Sequence, residues 1–184
     1  IGEEIARQIN AAGGMVILSA RNKSKLNELQ ASLTYPQNSM VIPLDLEKSD
    51  EFENLTAMAN EKWGRIDFLF NNGGLSQRGE ASETGLDIDR RIMEINYFGN
   101  IALAKAVLPF MQKQQSGHII VISSIAGKFG FFLRSAYSAS KHALQGFYES
   151  LLLEEEKNNI SVTIAYPGKI NTDISKSALS STGE

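Results

Sequence analysis

A tyrosine and a lysine four residues apart, Tyr137 and Lys141, are the side chains of this sequence best suited to acid/base chemistry. Positions i and i+4 lie on one face of a helix, so we expect the phenol and the ammonium to share the same space. A free tyrosine titrates near pH ~10, and a nearby cation favours the phenolate and lowers that pKa. The pair therefore predicts a general acid/base, although the same spacing also occurs on the solvated edge of many helices.

Two serines precede this pair at the end of an apolar run. Ser124 stands thirteen residues before Tyr137, and Ser123 comes directly before Ser124. A hydroxyl in this place would hydrogen-bond to a substrate oxygen and stabilise the charge that develops on it. On these residues alone, either serine could serve.

The composition argues against several classes of protein. The net charge of -3 and the sequence pI near 5.5 argue against a general nucleic-acid surface, which would need a basic stripe. The lack of cysteine excludes disulfides, thiolate metal sites and a Cys nucleophile, and it fits a cytoplasmic protein. No apolar run reaches membrane-spanning length, which leaves open an anchor outside the sequence shown. His118 and His142 have no second ligand at metal spacing, so we expect no metal site.

Apolar runs typical of buried strands alternate with segments of helical periodicity. The predicted strands cover residues 15–18, 40–44, 66–70, 118–122 and 160–165. Helices fill the intervals, and a long helical stretch over 87–115 is expected to bend or break near 96–99. The alternation predicts an α/β fold with a doubly wound parallel sheet, Rossmann-like and in three layers.

The sequence reads as a single domain, residues 1–184, that is missing its beginning. In doubly wound sheets the first strand is central, and a glycine-rich turn leads from it into the first helix. Ile1 and Gly2 run directly into a helical segment. We therefore expect the first strand and most of the glycine-rich loop to lie outside the sequence shown. The small polar residues 177–184 suggest that the C-terminal end is also incomplete.

Four separated motifs together resemble the short-chain dehydrogenase/reductase (SDR) family, and the resemblance extends over essentially the whole sequence. Ile1-Gly2 is similar to the end of the family's glycine-rich loop, and Asn71-Asn72-Gly73-Gly74 is similar to its Asn-Asn-Ala-Gly motif. The family's catalytic tetrad is matched by Asn96, Ser124, Tyr137 and Lys141. Residues 167–172 are similar to its Pro-Gly motif and following Thr. Each motif is weak alone, but the ordered set is specific. Residues 71–78 also resemble the branch called dehydrogenase/reductase member seven.

The resemblance implies a role for each member of the tetrad. Tyr137 would give a proton to a carbonyl oxygen or take one from an alcohol, and Lys141 would lower the pKa of Tyr137 and bind the nicotinamide ribose. The family spacing selects Ser124 rather than Ser123 for the substrate oxygen. Asn96 would break a helix and hold a proton-relay water, although it could instead be a simple kink or cap residue.

The resemblance also implies a dinucleotide-binding domain, because no side chain can supply a hydride. Besides Tyr137 and Lys141, the implied contacts are Ile1 and Gly2 with the pyrophosphate, Asp45 with the adenine, Asn71 and Gly73 beside the adenosine ribose, and Pro167, Ile170 and Thr172 at the nicotinamide side. Asp45 could instead be an acid at a helix start, and Gly73 an ordinary loop glycine.

The segment 19–23, which follows the strand predicted at 15–18, bears on the choice of cofactor. An NAD enzyme places a carboxylate there for the ribose 2′-hydroxyl, whereas an NADP enzyme supplies a guanidinium for the 2′-phosphate. The segment has no acid and contains Arg21. It therefore predicts NADP(H), with NAD(H) as the alternative if Arg21 is only a solvated loop base.

The leading hypothesis is an NADP(H)-dependent oxidoreductase that interconverts a small-molecule alcohol and a carbonyl compound. The apolar segment 129–133 lines an apolar substrate cleft or simply packs its own loop. The long helices predicted over 97–115 and 137–157 imply, by resemblance, a homodimer or homotetramer. The alternatives are a catalytically inactive nucleotide-binding regulator or scaffold of the same fold, and a related enzyme that dehydrates or epimerises its substrate.

Overall fold

The structure, a computed structural model, describes residues 1–168, 170 and 178–183. Its strands are β1 (Val16–Leu18), β2 (Ser39–Val41), β3 (Phe68–Asn71), β4 (Gly117–Ile122) and β5 (Ile160–Ala165). Its helices are α1 (Gly2–Ala11), α2 (Lys23–Ala31), α3 (Phe52–Trp63), α4 (Leu86–Met93), α5 (Gly99–Gln114) and α6 (Ser135–Glu155). Short 3-10 turns cover Pro36–Asn38, Ser49–Glu51, Ile125–Gly127 and Glu156–Asn158, and a π-helical turn covers Glu94–Phe98. The order of these elements confirms the predicted α/β alternation.

All strand pairs in the described residues are parallel, and the strands form two sheets. β1 pairs with β2 in one sheet, and β4 lies between β3 and β5 in the other. The predicted parallel, helix-connected arrangement is confirmed, but the single expected sheet is present as two pieces. That the central first strand of such a sheet lies outside the sequence shown stays a prediction.

The end of β2 shows why a predicted strand and an observed strand differ in length. The apolar run predicted a strand to residue 44, whereas β2 ends at Val41. The N–H groups of Ile42 and Leu44 still donate hydrogen bonds to the carbonyl oxygens of Leu18, in β1, and Ala20, just after β1. Pro43 between them has no N–H to donate, so the regular ladder stops there.

The break predicted within 87–115 is a π-helical turn between α4 and α5. Gly99, the first residue of α5, packs directly against the backbone of Leu46, where a Cβ atom would overlap the Leu46 carbonyl oxygen. A wider π turn next to this close approach moves the helix axis without a gap in its hydrogen bonding. Asn96 lies within that turn and is fully buried.

The main core lies where α5 and α6 cover the three-stranded sheet. Its buried members are Ile101, Ala104, Val107, Leu108, Met111, Ile119, Val121, Leu144, Tyr148, Leu151 and Ile160. A smaller cluster joins β1 to α2 through Val16, Leu18, Leu26 and Leu33. In the described part of the chain, no helix combines the length and apolarity needed to cross a membrane.

A buried polar network at the end of β3 joins the two large helices. The Tyr148 hydroxyl on α6 accepts a hydrogen bond from Asn71 Nδ2 at 2.7 Å and donates to Asn100 Oδ1 on α5 at 2.6 Å. Asn71 Nδ2 also donates to the Asn100 carbonyl oxygen at 3.3 Å. Burial raises the pKa of Tyr148, so its hydroxyl stays protonated and can keep donating.

We expect Tyr148→Phe to lower the free energy of unfolding of the full-length protein by about 1–3 kcal/mol, because Asn71 and Asn100 lose a buried partner. Urea unfolding measures the difference. Tyr35→Phe is the matched control, since Tyr35 is exposed, and it should leave the free energy unchanged within about 0.5 kcal/mol. Equal stability of the two variants would contradict the role of this network.

Candidate active site

The candidate site lies at the carboxyl ends of β3, β4 and β5, where loops carry several of the predicted residues. Ser123 and Ser124 follow β4, residues 72–74 follow β3, and Pro167 follows β5. Carboxyl ends of neighbouring parallel strands meet at one edge of a sheet, which is where α/β folds bind ligands. A backbone hydrogen bond from the Ile125 N–H to the Pro167 carbonyl oxygen, 3.3 Å long, joins two of these loops.

Ser124 is the serine whose side chain contacts Tyr137. The Ser124 side chain lies close enough to the phenol to lower the pKa of Tyr137, and Ser124 Oγ also accepts from the Ala126 N–H at 3.1 Å, at the start of a 3-10 turn. Ser123 is buried, and its Oγ packs against Gly127 so closely that a Cβ on Gly127 would lie only 2.7 Å from it. The fold therefore separates the two serines by burial and partner, which their order along the chain could not do.

The acid/base character of Tyr137 differs from the sequence-based expectation. Burial raises the pKa of Tyr137 above its ordinary value, while the hydrogen bond with Ser124 and the charge of Arg134 lower it. The expected depression of the pKa is wrong for this structure, because removing the phenol from water outweighs both favourable contacts. Lys141 lies 5.8 Å from the centroid of the Tyr137 ring, measured from Nζ.

Lys141 is a buried ammonium at the end of β4. Its side chain on α6 is 3% exposed, and Nζ donates to the Ile122 carbonyl oxygen at 3.1 Å. Burial lowers the pKa of Lys141 to about 8. Its proton can therefore leave or return near working pH far more readily than that of a surface lysine.

Asn96 holds the loop after β3 against α6. Its Oδ1 accepts from the Leu75 N–H at 2.7 Å, and its Nδ2 donates to the Leu75 carbonyl oxygen at 2.8 Å and to Ser140 Oγ at 3.0 Å. Ser140 Oγ in turn donates to the carbonyl oxygen of Tyr137 at 2.8 Å. The side chain is thus fully used in positioning its neighbours, and the proton-relay role of Asn96 stays a prediction.

Gly74 sits where the asparagine and the lysine come together. A Cβ on Gly74 would lie 3.2 Å from Asn96 Oδ1 and 3.7 Å from Lys141 Nζ. The first distance is tighter than an ordinary carbon–oxygen contact, so a side chain here would press on Asn96. Asn96, Ser124, Tyr137 and Lys141 therefore converge on one site.

The residues predicted at the adenosine side are at the expected strand ends, but some have other partners. The Asn71 side chain is 3% exposed and belongs to the network with Tyr148. Asp45 Oδ1 accepts from the Glu47 N–H at 3.2 Å and so stabilises a turn. Arg21 lies exposed after β1, with no acidic residue between it and the strand.

The residues predicted at the pyrophosphate and nicotinamide sides are only partly described. Ile1 is the N-cap of α1, with no side-chain cap, and a Cβ on Gly2 would lie 2.7 Å from Asn72 Nδ2. Gly73 packs on Leu46. Ile170 is exposed, and Thr172 lies outside the described residues.

Sequence reasoning missed Arg134, whose guanidinium enters the site from the residue before α6. Its position three residues before Tyr137 was the available signal, since i and i+3 are neighbours on a helix. The segment 129–133 just ahead of it is exposed at its phenylalanines, with Phe132 at 87% and Phe129 at 69%. The exposure of Phe129 and Phe132 argues against packing of these two rings within their own loop.

Comparison with known proteins finds a family model that matches this chain and relatives that resemble it over its whole length. The family model for short chain dehydrogenases matches residues 1–182. The chain is 46% identical to "Dehydrogenase/reductase SDR family protein 7-like" of Anopheles gambiae and 43% identical to "Dehydrogenase/reductase SDR family member 7B" of Mus musculus. All of this chain aligns in both cases, but it spans only 60% and 58% of the lengths of those relatives.

Solved structures share the fold. A short-chain dehydrogenase from Streptomyces avermitilis matches with a TM-score of 0.88 and 36% identity, covering 94% of this chain and 63% of that one. ElxO with NADP bound matches with a TM-score of 0.88 and 28% identity, over 95% of this chain and 72% of that one. NAD+-bound xylitol dehydrogenase matches with a TM-score of 0.87 and 27% identity, over 91% of this chain and 65% of that one.

We expect Lys141→Met to raise the free energy of unfolding of the full-length protein by about 1–3 kcal/mol at neutral pH. The folded state holds the ammonium at a pKa of about 8 against an ordinary 10.5, which favours unfolding below pH 8. Between those values the folded state loses its proton first, so wild-type stability rises with pH and the advantage of methionine shrinks. Urea unfolding at about pH 7 and about pH 10 measures both effects.

Lys62→Met is the matched control for this substitution, because Lys62 is exposed on α3. It should change stability by no more than about 0.5 kcal/mol at either pH. A Lys141→Met protein that is less stable than wild type at neutral pH, or whose advantage does not depend on pH, would show that the buried ammonium is not a cost to folding.

Proposed function

Because the chain belongs to the short-chain dehydrogenase family, we propose that the protein is an oxidoreductase that interconverts an alcohol and a carbonyl compound with NADP(H). The observation that supports this most directly is the contact of Tyr137 with Ser124, beside the buried ammonium of Lys141. These side chains come from a strand end and a helix that are adjacent only in the fold. A nucleotide-binding protein without catalysis would have no use for this arrangement.

The residues at the strand ends fit a dinucleotide. The first turn of α1 has no side-chain cap, so its free N–H groups suit a pyrophosphate. Glu3 in that turn is paired with Arg7 at 2.8 Å, which offsets its negative charge. The lack of a side chain at Gly2 lets the start of α1 approach Asn72 closely. When bound, a nicotinamide cofactor supplies the hydride that no side chain can supply.

Arg21 supports NADP(H) over NAD(H). Similar folds hold NADP in ElxO and NAD+ in xylitol dehydrogenase, so the fold alone does not choose. Ser19, Ala20 and Arg21 are all exposed at the end of β1, and none carries the carboxylate that a 2′-hydroxyl requires. A guanidinium in this place suits a 2′-phosphate.

Proton transfer in the proposed reaction involves three side chains with separate roles, Tyr137, Ser124 and Lys141. In reduction, the protonated Tyr137 gives its proton to the carbonyl oxygen, and the reverse transfer occurs in oxidation. Ser124 donates a hydrogen bond to the same oxygen while charge develops on it. Lys141, still largely protonated at neutral pH with a pKa of about 8, stabilises the phenolate that the transfer leaves. The raised pKa of Tyr137 means that the phenol enters the reaction protonated.

The substrate we propose is a small alcohol or ketone with an apolar part. The exposed phenylalanines of segment 129–133 lie between Ser124 and Tyr137 in the chain. Exposed rings next to a polar site cover an apolar ligand at little cost in conformational entropy. By membership of the family we also propose a homodimer or homotetramer built on α5 and α6, which light scattering of the full-length protein would test.

We expect Tyr137→Phe to lower turnover by about 10²–10⁴-fold, because the acid/base is removed while the ring remains. NADPH binding should be retained. Reduction of a panel of aryl ketones and aldehydes by the full-length protein measures the first effect, and calorimetric titration with NADPH measures the second.

Tyr35→Phe is the control, since it removes an exposed phenol far along the chain. Full turnover in Tyr137→Phe would refute the assigned chemistry. NADPH binding without turnover of any substrate by the wild-type protein would favour the regulator or scaffold.

We expect Arg21→Ala to weaken NADPH binding by roughly tenfold to a hundredfold, the loss of a charged hydrogen bond, and to leave NADH binding almost unchanged. Arg65→Ala is the control, because Arg65 is an exposed arginine just ahead of β3, at the opposite end of the sheet. Equal losses for NADPH and NADH, or a loss in the Arg65 variant, would contradict a phosphate contact at Arg21.

A further inference from the structure

The segment that leads into α6 is held in a strained conformation. Leu133 has φ 61°, in the left-handed region that a leucine rarely adopts, at a cost of about 1–3 kcal/mol. Its carbonyl oxygen accepts a hydrogen bond from the Gly79 N–H at 3.2 Å. Such strain persists only where surrounding contacts over-determine the conformation. The neighbouring contacts of Arg134 meet that requirement.

Arg134 docks onto the same stretch of chain that Leu133 touches. Its Nη1 donates to Ser76 Oγ at 2.5 Å and to the Gln77 carbonyl oxygen at 2.8 Å. At its backbone, the Arg134 carbonyl oxygen accepts from the Ser138 N–H at 2.7 Å and so begins the hydrogen bonding of α6. One residue thus joins the first turn of the catalytic helix to segment 76–79.

Segment 76–79 is itself firmly anchored. Gln77 is fully buried, and its Nε2 donates to the Gly79 carbonyl oxygen and to Thr84 Oγ1, both at 3.1 Å. Backbone hydrogen bonds pair the segment with Leu179, from the Leu179 N–H to the Ser76 oxygen at 2.9 Å and from the Arg78 N–H to the Leu179 oxygen at 2.8 Å. The guanidinium therefore rests on a rigid support.

We propose that Arg134 is a positioning residue for Tyr137: its guanidinium, docked on Ser76 and Gln77, holds the first turn of α6 in place and keeps a fixed positive charge beside the phenol. The proposal rests on the proposed function for its consequence in turnover. It assigns to Arg134 a role that differs from that of Lys141, because the Lys141 ammonium hydrogen-bonds to the Ile122 carbonyl oxygen at the end of β4, whereas the Arg134 guanidinium hydrogen-bonds to Ser76 and Gln77.

The electrostatics around the phenol agree with this geometry. The Arg134 charge lowers the pKa of Tyr137, against the larger effect of burial. Burial and the charge of Arg78 lower the pKa of Arg134, while Tyr137 raises it, and a guanidinium remains charged throughout the working range. Among the described residues, the charged group that faces the Tyr137 phenol besides Arg134 is Lys141 on α6, and the one that faces the Arg134 guanidinium is Arg78 on segment 76–79.

A fixed cation here acts on the proton that Tyr137 transfers. Reduction requires the protonated phenol, so its rate falls as pH rises through the pKa of Tyr137. Without the guanidinium, that fall moves to higher pH. The maximal rate also drops, because the phenolate left by proton donation loses a stabilising charge.

The test uses the full-length protein and titrates Tyr137 by the ultraviolet absorbance of tyrosinate, taken as the difference between each protein and the same protein carrying Tyr137→Phe. The variants are Arg134→Gln, Arg134→Lys, Ser76→Ala and, as a charge-matched control remote from the site, Arg65→Gln. Reduction of an aryl methyl ketone by NADPH gives kcat and KM across the same pH range.

We expect the Tyr137 midpoint to rise in Arg134→Gln, to return toward wild type in Arg134→Lys, and to stay in place in Arg65→Gln. We expect kcat of Arg134→Gln to fall by roughly tenfold, with a smaller change in KM. This loss is a fraction of the ~10²–10⁴-fold rate enhancement that a positioned general acid/base contributes. Ser76→Ala should move midpoint and kcat in the same directions but less, because it frees the guanidinium without removing its charge.

A Tyr137 midpoint in Arg134→Gln equal to that in Arg65→Gln would overturn the proposal. If Arg134→Gln does not fold, an unmoved midpoint in Ser76→Ala would overturn it instead. The spectroscopic titration needs no substrate, so failure of the proposed function, seen as a wild-type protein that reduces nothing, is distinguishable from failure of this inference.

Discussion

The hydrogen bond from the Lys141 ammonium to the Ile122 carbonyl oxygen is the interaction on which the site depends. It brings a charge from α6 to the end of the central strand of the three-stranded sheet, inside the protein. Ser124 follows that strand by two residues, and Tyr137 precedes the lysine by one helical turn. A helix shifted along the sheet would lose this bond and leave a buried cation without a partner, which is among the costliest defects a fold can carry.

The same interaction sets a limit on stability. Burial of an ammonium with a lowered pKa opposes folding at neutral pH, and so do the left-handed Leu133 and the buried Ser123 hydroxyl, which has no hydrogen-bond partner among the described residues. These costs gather within a few residues of the reacting groups, whereas the core between α5, α6 and the sheet is mostly apolar, and its buried polar groups Asn71, Asn100 and Tyr148 hydrogen-bond to one another. The pattern is that of a site held in an unfavourable arrangement by a stable scaffold.

The asparagine of the tetrad shows how a backbone irregularity serves the site. The π-helical turn moves Asn96 inward, where its amide satisfies both polar groups of Leu75 and reaches Ser140. The loop, the turn and α6 are therefore linked through one side chain, and Gly74 leaves the room that this linkage needs.

The positions of the strands could be predicted from sequence because buried parallel strands need continuous apolar runs, and the runs ending at 18, 122 and 165 end where β1, β4 and β5 end. The boundaries of β2 and β3 were less well predicted, since Pro43 and the pairing of neighbouring strands decide where a ladder stops. The pKa of Tyr137 was predicted in the wrong direction. Spacing along a helix shows that a cation is near, but it does not show how much water the fold removes from the phenol.

By itself, the sequence determined the alternation of strands and helices, the shared helical face of Tyr137 and Lys141, and the absence of an acid beside Arg21. All three are local properties, set by residue type and by the periods of helix and strand. Only the tertiary structure decided that Ser123 is buried without a hydrogen-bond partner among the described residues, that Asn71 is committed to Tyr148, and that Arg134 reaches Ser76 and Gln77. Those contacts join residues far apart in the chain, and their strength depends on burial, which no residue possesses until the chain has folded.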